Sequence, residues 1–203
     1  METQLLRGLL TVCLLVSALL AQVAAGQAPT VVHLADGPII VPNIEGRMGS
    51  NIQGLSLIGM PDWIENPLGK HYLCFADHRG TYIGLAYADE LTGPWRIHAA
   101  GSLKLENSLF PTTCPPCSLA SGTSAALYAH IASPDVHLDD EKQQVVMYIR
   151  GRGAGEQLLR LALSRDGVNF EGSPEVLGRP YFRIIEHGDY HYAPSMPGYM
   201  YRS

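Results

Sequence analysis

The sequence predicts an all-β fold made of many short strands joined by turns. The chain has 203 residues, of which 21 Gly and 14 Pro supply turns and 10 Tyr favour strands. After residue 25, short runs of period two recur between turn residues, and we find no long stretch with apolar residues at helical spacing. Hydrophobic residues make up 46% of the chain and charged residues 16%, so a single domain with a buried core is the default expectation.

The first 25 residues have the pattern of a secretory signal peptide. Arg7 supplies a positive start, an apolar stretch runs from Leu9 to Leu20, and Val23-Ala24-Ala25 place small residues at a cleavage site. About a dozen apolar residues is short for a membrane span, which needs roughly 20, so cleavage is favoured over an uncleaved anchor. We therefore expect a secreted or periplasmic protein with no membrane attachment after cleavage, whose mature domain covers residues 26–203.

Predicted strands follow one another along the mature chain, each bounded by Gly, Pro, Asn or Asp. In order they are Thr30–Leu34, Leu55–Ile58, His71–Phe75, Tyr82–Ala88, Asp135–Leu138, Gln144–Ile149, Leu158–Ser164, Tyr181–Glu186, Asp189–Ala193 and Tyr199–Arg202. Residues 105–130 differ, because they are rich in Ser, Ala, Pro and Thr. They are predicted to form an inserted loop, with one helical turn near Ala125 to Tyr128.

Part of the strand pattern repeats along the chain. The segment from Gly69 to Trp95 has a counterpart from Gln144 to Phe170, and a third copy runs from Arg183 to Arg202. Short antiparallel strands repeated in this way are typical of β-propeller blades. Because propellers close with about four or more blades, the sequence predicts an incomplete propeller containing blades one and two and the start of a third. If the chain ends at Ser203, it is a fragment or needs a partner chain.

Charge and cysteine usage narrow the functional classes. The formal net charge is −5 and no basic cluster is present, which argues against nucleic-acid binding. Signal cleavage would leave Cys74 in an apolar strand, as a small core residue, and Cys114 and Cys117 as a candidate disulfide pair. A redox role for that pair is disfavoured, since it follows loop residues instead of opening a helix. No metal-binding motif is present, so neither a metal nor another cofactor is expected.

Three segments carry a resemblance to a known family. They are Asn51–Ile58, Ala132–Val136 followed by Asp139-Asp140-Glu141, and Gly178–Phe182 followed by His187–Tyr190. Together they resemble the five-bladed β-propellers of glycoside hydrolase family 43, which include arabinanases and xylosidases. The resemblance covers residues 51–203 and implies a secreted protein that hydrolyses a glycosidic bond in a poly- or oligosaccharide.

The resemblance also implies where the reactive carboxyl groups lie. Inverting enzymes of this type need a general acid and a general base about 6.5–9.5 Å apart, and a third carboxylate tunes the acid. Asp135 matches the family's tuning Asp, whereas the family's base and acid positions fall near Gly54 and near Gly178 or Arg179. Because these residues have no carboxylate, whether the chain is an enzyme stays open. The alternative is a non-catalytic carbohydrate-binding propeller or an inactive fragment.

Other side chains are candidates for the missing acid and base. Asp77 and His78 would form an acid–base pair at a strand end, because His titrates closest to neutral pH. The alternative is an ordinary polar turn before Gly80. Further carboxylates near the motifs are Asp62, Glu65, Glu175 and Glu186. The Asp139-Asp140-Glu141 run is interpreted as a solvated hairpin turn.

Substrate contacts are predicted at Asn51, Arg79, His137 and Arg179. The two guanidinium groups and His137 would suit an acidic sugar or a sulfate group, which guanidinium binds through paired N–H groups. Trp63 and Trp95 are candidates for stacking on sugar rings, with core packing as the alternative. The predicted partner is therefore a carbohydrate.

Overall fold

The computed structural model describes residues 30–33, 37–42, 44, 46–113, 128–152 and 156–203. The chain divides into two units, residues 1–34 and 35–203. The described residues of the second unit form eleven strands in three antiparallel sheets and one short 3-10 helix, which confirms the all-β prediction. Among the described residues, no helix has the length and apolar character of a membrane span.

The first sheet has four strands in sequence order. They are β1 Ile52–Gly59, β2 His71–Asp77, β3 Tyr82–Ala88 and β4 Arg96–Lys104. β2 and β3 are the buried centre of the sheet, and their continuous apolar character fits a position covered on both faces. The prediction for β3 is confirmed to the residue, β1 and β2 extend beyond their predicted bounds, and β4 was not predicted.

The second sheet repeats this order with β5 Ile131–Asp139, β6 Gln144–Arg152, β7 Gln157–Ser164 and β8 Glu171–Gly178. The 3-10 helix Leu105–Asn107 opens the connection between the two sheets. Leu105 and Phe110 are buried in the core, so the start of the predicted inserted loop is packed. Cys114, Cys117 and most of the predicted helical turn lie outside the described residues.

The third sheet has three strands in the order β11-β10-β9. They are β9 Ile185–His187, β10 Tyr190–Ser195 and β11 Tyr199–Arg202. β11 has its predicted bounds, while β9 begins four residues later than the predicted start at Tyr181. Tyr181 has a positive φ of 66°, outside the extended region that a regular strand adopts.

The predicted strand Thr30–Leu34 is wrong over its described residues, 30–33, which have no regular secondary structure. Val31 and Val32 are 81% and 71% exposed. The strand preference of valine reflects packing on a half-buried sheet surface, and a short run of it does not make a strand without that packing.

The first strands of the two four-stranded sheets carry bulges at matching places. The register shifts fall between Gln53 and Ser56 in β1 and between Ala132 and Asp135 in β5. Gly54 and Ser133, each inside its bulge, have φ values of 64° and 55°. A Cβ atom added to Gly54 would overlap the Cα of Ser133, so the two bulges lie in contact. The bulges therefore lie where the two sheets meet.

Apolar cores hold the sheets together. The largest contains side chains of both four-stranded sheets, with Tyr72 and Leu85 from the first and Met147 from the second. A smaller core joins the second and third sheets through Leu159 of β7, Phe182 before β9 and Ala193 of β10. Cys74, only 1% exposed and without a disulfide, lies in the largest core, which confirms the prediction of a small core residue.

Candidate functional site

A cleft of about 690 Å³ opens where β2 ends and β3 begins. Its charged lining is Arg47, Asp77, Arg79, Lys104 and Glu106, and Tyr82 adds an aromatic ring. The cleft therefore brings three cations and two carboxylates to one place. Two of the residues predicted from sequence, Asp77 and Arg79, are among them.

The turn after β2 sets the floor of the cleft. The backbone amides of Arg79 and Asn51 donate to the two carboxylate oxygens of Asp77, at 2.9 Å and 3.2 Å. The amide of Gly80 donates to the Asp77 carbonyl at 3.0 Å, which closes the turn, and the amide of His78 donates to the Asn51 carbonyl at 2.9 Å. The polar turn before Gly80, which the sequence left as the alternative to an acid–base pair, is present. Asp77 thus orients the turn and also lines the cleft.

Aromatic rings position the basic side chains of the cleft. The Arg79 guanidinium lies 5.2 Å from the centre of the Tyr128 ring, and the Arg47 guanidinium lies 5.1 Å from that of Tyr82. Arg47 also donates to the carbonyl of Ala99. Lys104 pairs with Glu106 at 3.8 Å, an exposed contact that leaves both groups available to a ligand.

Asp135 lies at the bulge of β5 and holds a second group of predicted residues. Its Oδ2 is 3.0 Å from Nε2 of His137 and accepts the backbone amide of Ile184 at 2.8 Å. Its Oδ1 lies 3.7 Å from the Arg183 guanidinium, and the Asp135 side chain is 13% exposed. Burial alone would raise the pKa of Asp135, but the hydrogen bonds of His137 and Ile184 and the charge of Arg183 together lower it. Asp135 is therefore ionised at neutral pH.

The contact between Asp135 and Ile184 has a counterpart one sheet earlier. The hydroxyl of Ser56, in the bulge of β1, accepts the backbone amide of Val136 in β5 at 2.9 Å. In both cases the bulge side chain reaches the backbone of the next repeat, so Ser56, Asp135 and Arg183 occupy equivalent positions. The positive φ values of Gly54, Ser133 and Tyr181, each two residues earlier, follow the same register.

The predicted site residues fall into two groups and one outlier. Asn51, Asp77, His78 and Arg79 meet at the turn, and Asp135 and His137 meet at the β5 bulge. Arg179 belongs to neither group, because its guanidinium lies 4.8 Å from the ring centre of Tyr199 in the third sheet.

The remaining candidates from the sequence lie away from the cleft. None of Asp62, Glu65, Glu175 and Glu186 lines it, and all four are exposed. Trp63 packs against the largest core and donates to Oδ1 of Asp140 at 2.8 Å, whereas Trp95 packs in a core on the first sheet and donates to the Leu91 carbonyl. Both tryptophans thus follow the core-packing alternative. The Asp139-Asp140-Glu141 run leads into an exposed hairpin turn, as predicted.

Two buried polar residues near the cleft escaped the sequence analysis. Arg150 in β6 is 1% exposed, and His130, which precedes β5, is 2% exposed. The signal that could have identified Arg150 is a charge directly following the apolar run from Val145 to Ile149, since fully buried arginines are rare. Within the described residues, no group of three or more His, Cys, Asp and Glu side chains is placed to hold a metal ion.

Comparisons with known proteins give one informative similarity. No family model matches the chain. An uncharacterized protein of Acanthamoeba polyphaga mimivirus is 34% identical over 164 residues, which cover 75% of this chain and 44% of the viral protein. The chain thus spans less than half the length of this relative, whose name states no activity.

Proposed function

We propose that the protein binds carbohydrate and that the sugar occupies the cleft formed by Arg47, Asp77, Arg79, Tyr82, Lys104 and Glu106. The observation that carries the proposal is the composition of this cleft. Charged donors and acceptors suit sugar hydroxyl groups, and the Tyr82 ring beneath the Arg47 guanidinium adds an aromatic group to the lining. Few convergent polar groups beside an aromatic wall are typical of small-molecule sites.

We further propose that the sheets are blades of a five-bladed propeller of the glycoside hydrolase family 43 type. Two sheets with the same four-strand order, matching bulges and the equivalent positions Ser56, Asp135 and Arg183 support this reading. The blades beyond the three described sheets are proposed, not observed. Secretion is proposed with it, on the signal-peptide pattern of residues 1–25.

Binding without hydrolysis is the function that the geometry supports best. Of the three equivalent positions Ser56, Asp135 and Arg183, only Asp135 supplies a carboxylate. Its Oδ2 is already occupied by His137 and the Ile184 amide. Inversion at a glycosidic bond requires two carboxyl groups on opposite sides of the bond, and the three positions offer one.

Glycoside hydrolysis is the second candidate, because the cleft itself contains two carboxylates, Asp77 and Glu106. In this arrangement one of them would protonate the leaving oxygen and the other would activate water. Asp135 would then act outside the chemical step, by fixing the connection that leads into the third sheet.

The test measures binding of a panel of neutral and acidic oligosaccharides by calorimetry, together with release of reducing ends. We expect Arg79→Ala to weaken binding at least tenfold, since each 1.4 kcal/mol lost is about a factor of ten. The matched control is Arg96→Ala, an exposed arginine on β4 that does not line the cleft. Thermal unfolding of both variants should match the wild type.

The outcomes separate the two candidates. Binding with no release of reducing ends supports a binding protein. Release that disappears in both Asp77→Asn and Glu106→Gln supports hydrolysis. If no saccharide binds, or if Arg79→Ala and Arg96→Ala bind equally well, the cleft is not a carbohydrate site.

A further inference from the structure

Arg150 is a buried cation whose charge is not neutralised by any described carboxylate. Its Nη1 donates to Oε1 of Gln157 at 2.7 Å and to the Tyr181 hydroxyl at 2.6 Å. The Tyr181 ring lies over the guanidinium, with 4.4 Å from Cζ to the ring centre. Nε and Nη2 are buried and have no hydrogen-bond partner among the described residues. Buried donors left in this state are costly, so a partner for them is expected.

The two unpaired nitrogens are the chemically informative ones. Nε and Nη2 lie on the same edge of the guanidinium plane, where their N–H bonds run nearly parallel. This edge matches two oxygens of a carboxylate, sulfate or phosphate group, which arginine binds through paired hydrogen bonds. The neighbouring Gln157 and Tyr181 leave this edge unused, because both bind Nη1.

The surroundings of Arg150 add positive charge. Arg152 projects from the same face of β6, two residues on, and its Nε is also buried without a partner in the described part of the chain. Burial lowers the pKa of His130, and the charges of Arg150 and Arg152 lower it further, so this ring is neutral at pH 7. Its Nδ1 lies 3.2 Å from the Tyr128 carbonyl. Donation from Nδ1 leaves Nε2 as a hydrogen-bond acceptor, suited to a hydroxyl group.

Contacts connect this cluster to the cleft. The Tyr128 ring lies 4.9 Å from the His130 ring and 5.2 Å from the Arg79 guanidinium, and Arg79 lines the cleft. The backbone amide of Ile131 also donates to the Gly80 carbonyl, at 3.1 Å. These contacts link the cluster of Arg150, Arg152 and His130 to Arg79 on the cleft lining.

The repeat shows that the fold does not require an arginine here. Gln53 pairs with Ala76 in the first sheet as Ala132 pairs with Arg150 in the second, so Ala76 and Arg150 are equivalent. Likewise, Ser133 is equivalent to Tyr181, because Ser133 lies two residues before Asp135 and Tyr181 lies two residues before Arg183. Small residues close the first junction between repeats, whereas the second junction carries an arginine stacked on a tyrosine.

We infer that Arg150 binds an oxyanion of the saccharide, either the carboxylate of a uronic acid or a sulfate ester. Arg152 adds positive charge, and His130 accepts a neighbouring hydroxyl group. The saccharide part of the inference rests on the proposed function, whereas anion binding by Arg150 can be tested by itself.

The experiment compares the wild type with Arg150→Met, which removes the charge and keeps an apolar side chain of similar length. The matched control is Arg160→Met, because Arg160 lies on β7 opposite Ile149 and therefore faces away from Arg150. The probes are oligogalacturonate, a sulfated oligosaccharide, a neutral xylo-oligosaccharide and sodium sulfate against sodium chloride at equal ionic strength. Calorimetry measures binding and thermal unfolding measures folding.

We expect the wild type and Arg160→Met to prefer one acidic saccharide to the neutral one, and Arg150→Met to bind it at least about 30-fold more weakly. The acidic saccharide that binds more tightly shows whether Arg150 prefers a carboxylate or a sulfate group. Unfolding of Arg150→Met should occur at or above the wild-type temperature, because a buried unpaired charge is removed. Should Arg150→Met fail to fold, Arg150→Lys keeps a charge, lacks the paired edge and should also lose the preference.

Other results overturn the inference in distinguishable ways. Equal binding of neutral and acidic saccharides by the wild type would show that Arg150 does not bind an oxyanion. The proposed binding of carbohydrate would be unaffected. Stabilisation by sulfate that depends on Arg150, without binding of any saccharide, keeps the anion site and overturns its assignment to a sugar. An acidic preference that survives in Arg150→Met means that Arg150 and Tyr181 serve packing only.

Discussion

At the scale of single residues, Asp135 joins two sheets through one carboxylate. Its Oδ2 receives the Ile184 amide from the connection to the third sheet and contacts His137 on its own strand. At the first junction, the Ser56 hydroxyl accepts the Val136 amide in the same way. A charged acceptor binds more strongly than a neutral one, so the second junction gains stability that depends on ionisation.

This ionisation makes the effect of Asp135→Asn dependent on pH. The folded-state pKa of Asp135 is lowered, so its contribution is fully present above the unfolded value, about 3.9, and is lost as pH falls through the folded value. At pH 7 we expect the variant to lose about 1–3 kcal/mol in the free energy of unfolding. Urea unfolding of wild type and variant at pH 7, and at steps between pH 5 and pH 2, measures this loss and its dependence on pH.

The difference between wild type and Asp135→Asn should narrow toward the acid end of this series. Asp62→Asn is the control, since Asp62 is exposed and makes no described side-chain contact, and its stability should follow the wild type at every pH. A gap that stays constant with pH would show that the charge of Asp135 does not contribute.

The functional residues found from the sequence depend on neighbours close in the chain, whereas those missed depend on residues far away in the chain. Asp135 was found because the residues around it resemble a family motif, and Asp77 because it lies at a strand end before a turn, so both signals lie within a few residues of the chain. Arg150 is buried by Tyr181, a residue 31 positions away, so no local pattern encodes its surroundings. The split of the predicted residues into two groups is likewise a consequence of sheet packing.

At the scale of elements, the contact between the β1 and β5 bulges depends on a missing side chain. Gly54 has a φ of 64°, and a Cβ atom there would overlap the backbone of Ser133. Only glycine adopts this backbone conformation without cost and also allows so close an approach.

Gly54→Ala should therefore be strongly destabilising. The left-handed conformation alone costs about 1–2 kcal/mol for a residue with a Cβ, and displacement of Ser133 adds to it. Gly59→Ala, at the other end of β1, is the matched control, because a Cβ there meets no atom within 4 Å. Urea unfolding should show a loss above about 2 kcal/mol for the first variant and a change within about 0.5 kcal/mol for the second. Equal effects would mean that the bulges do not pack as described.

Strand prediction succeeded where burial produces an apolar pattern. β3 is buried along most of its length, and its bounds match the prediction. β8 was missed because it contains Pro174 and Gly172, residues that argue against a strand. It lies at the edge of its sheet, where a proline is tolerated. β4 was missed because only Gly101–Leu103 form a buried run in an otherwise largely exposed strand.

At the scale of the whole molecule, the repeats along the sequence correspond to separate sheets that share cores with their neighbours. The number of sheets in the described chain follows from these repeats, because each strand set is closed by local turns. The bulge contacts and the buried arginine arise only when two sheets meet, so they depend on residues far apart in sequence.

Cys74 provides a probe of how cooperatively these sheets unfold. It is 1% exposed in the largest core, and burial raises the pKa of its thiol to about 12, although a hydrogen bond with Ser102 opposes the rise. At pH 8 the folded protein therefore exposes neither the sulfur atom nor a thiolate for alkylation.

We expect iodoacetamide to label Cys74 only when the core between the first and second sheets opens. Pulse labelling across a urea series, with the Cys74 peptide quantified by mass spectrometry, should give the same midpoint as circular dichroism, because sheets that share one core unfold together. The peptide holding Cys114 and Cys117 is quantified in parallel, so that its labelling is not mistaken for that of Cys74. Labelling of Cys74 well below the circular-dichroism midpoint would show that the first sheet opens alone and that the shared core does not couple the two repeats.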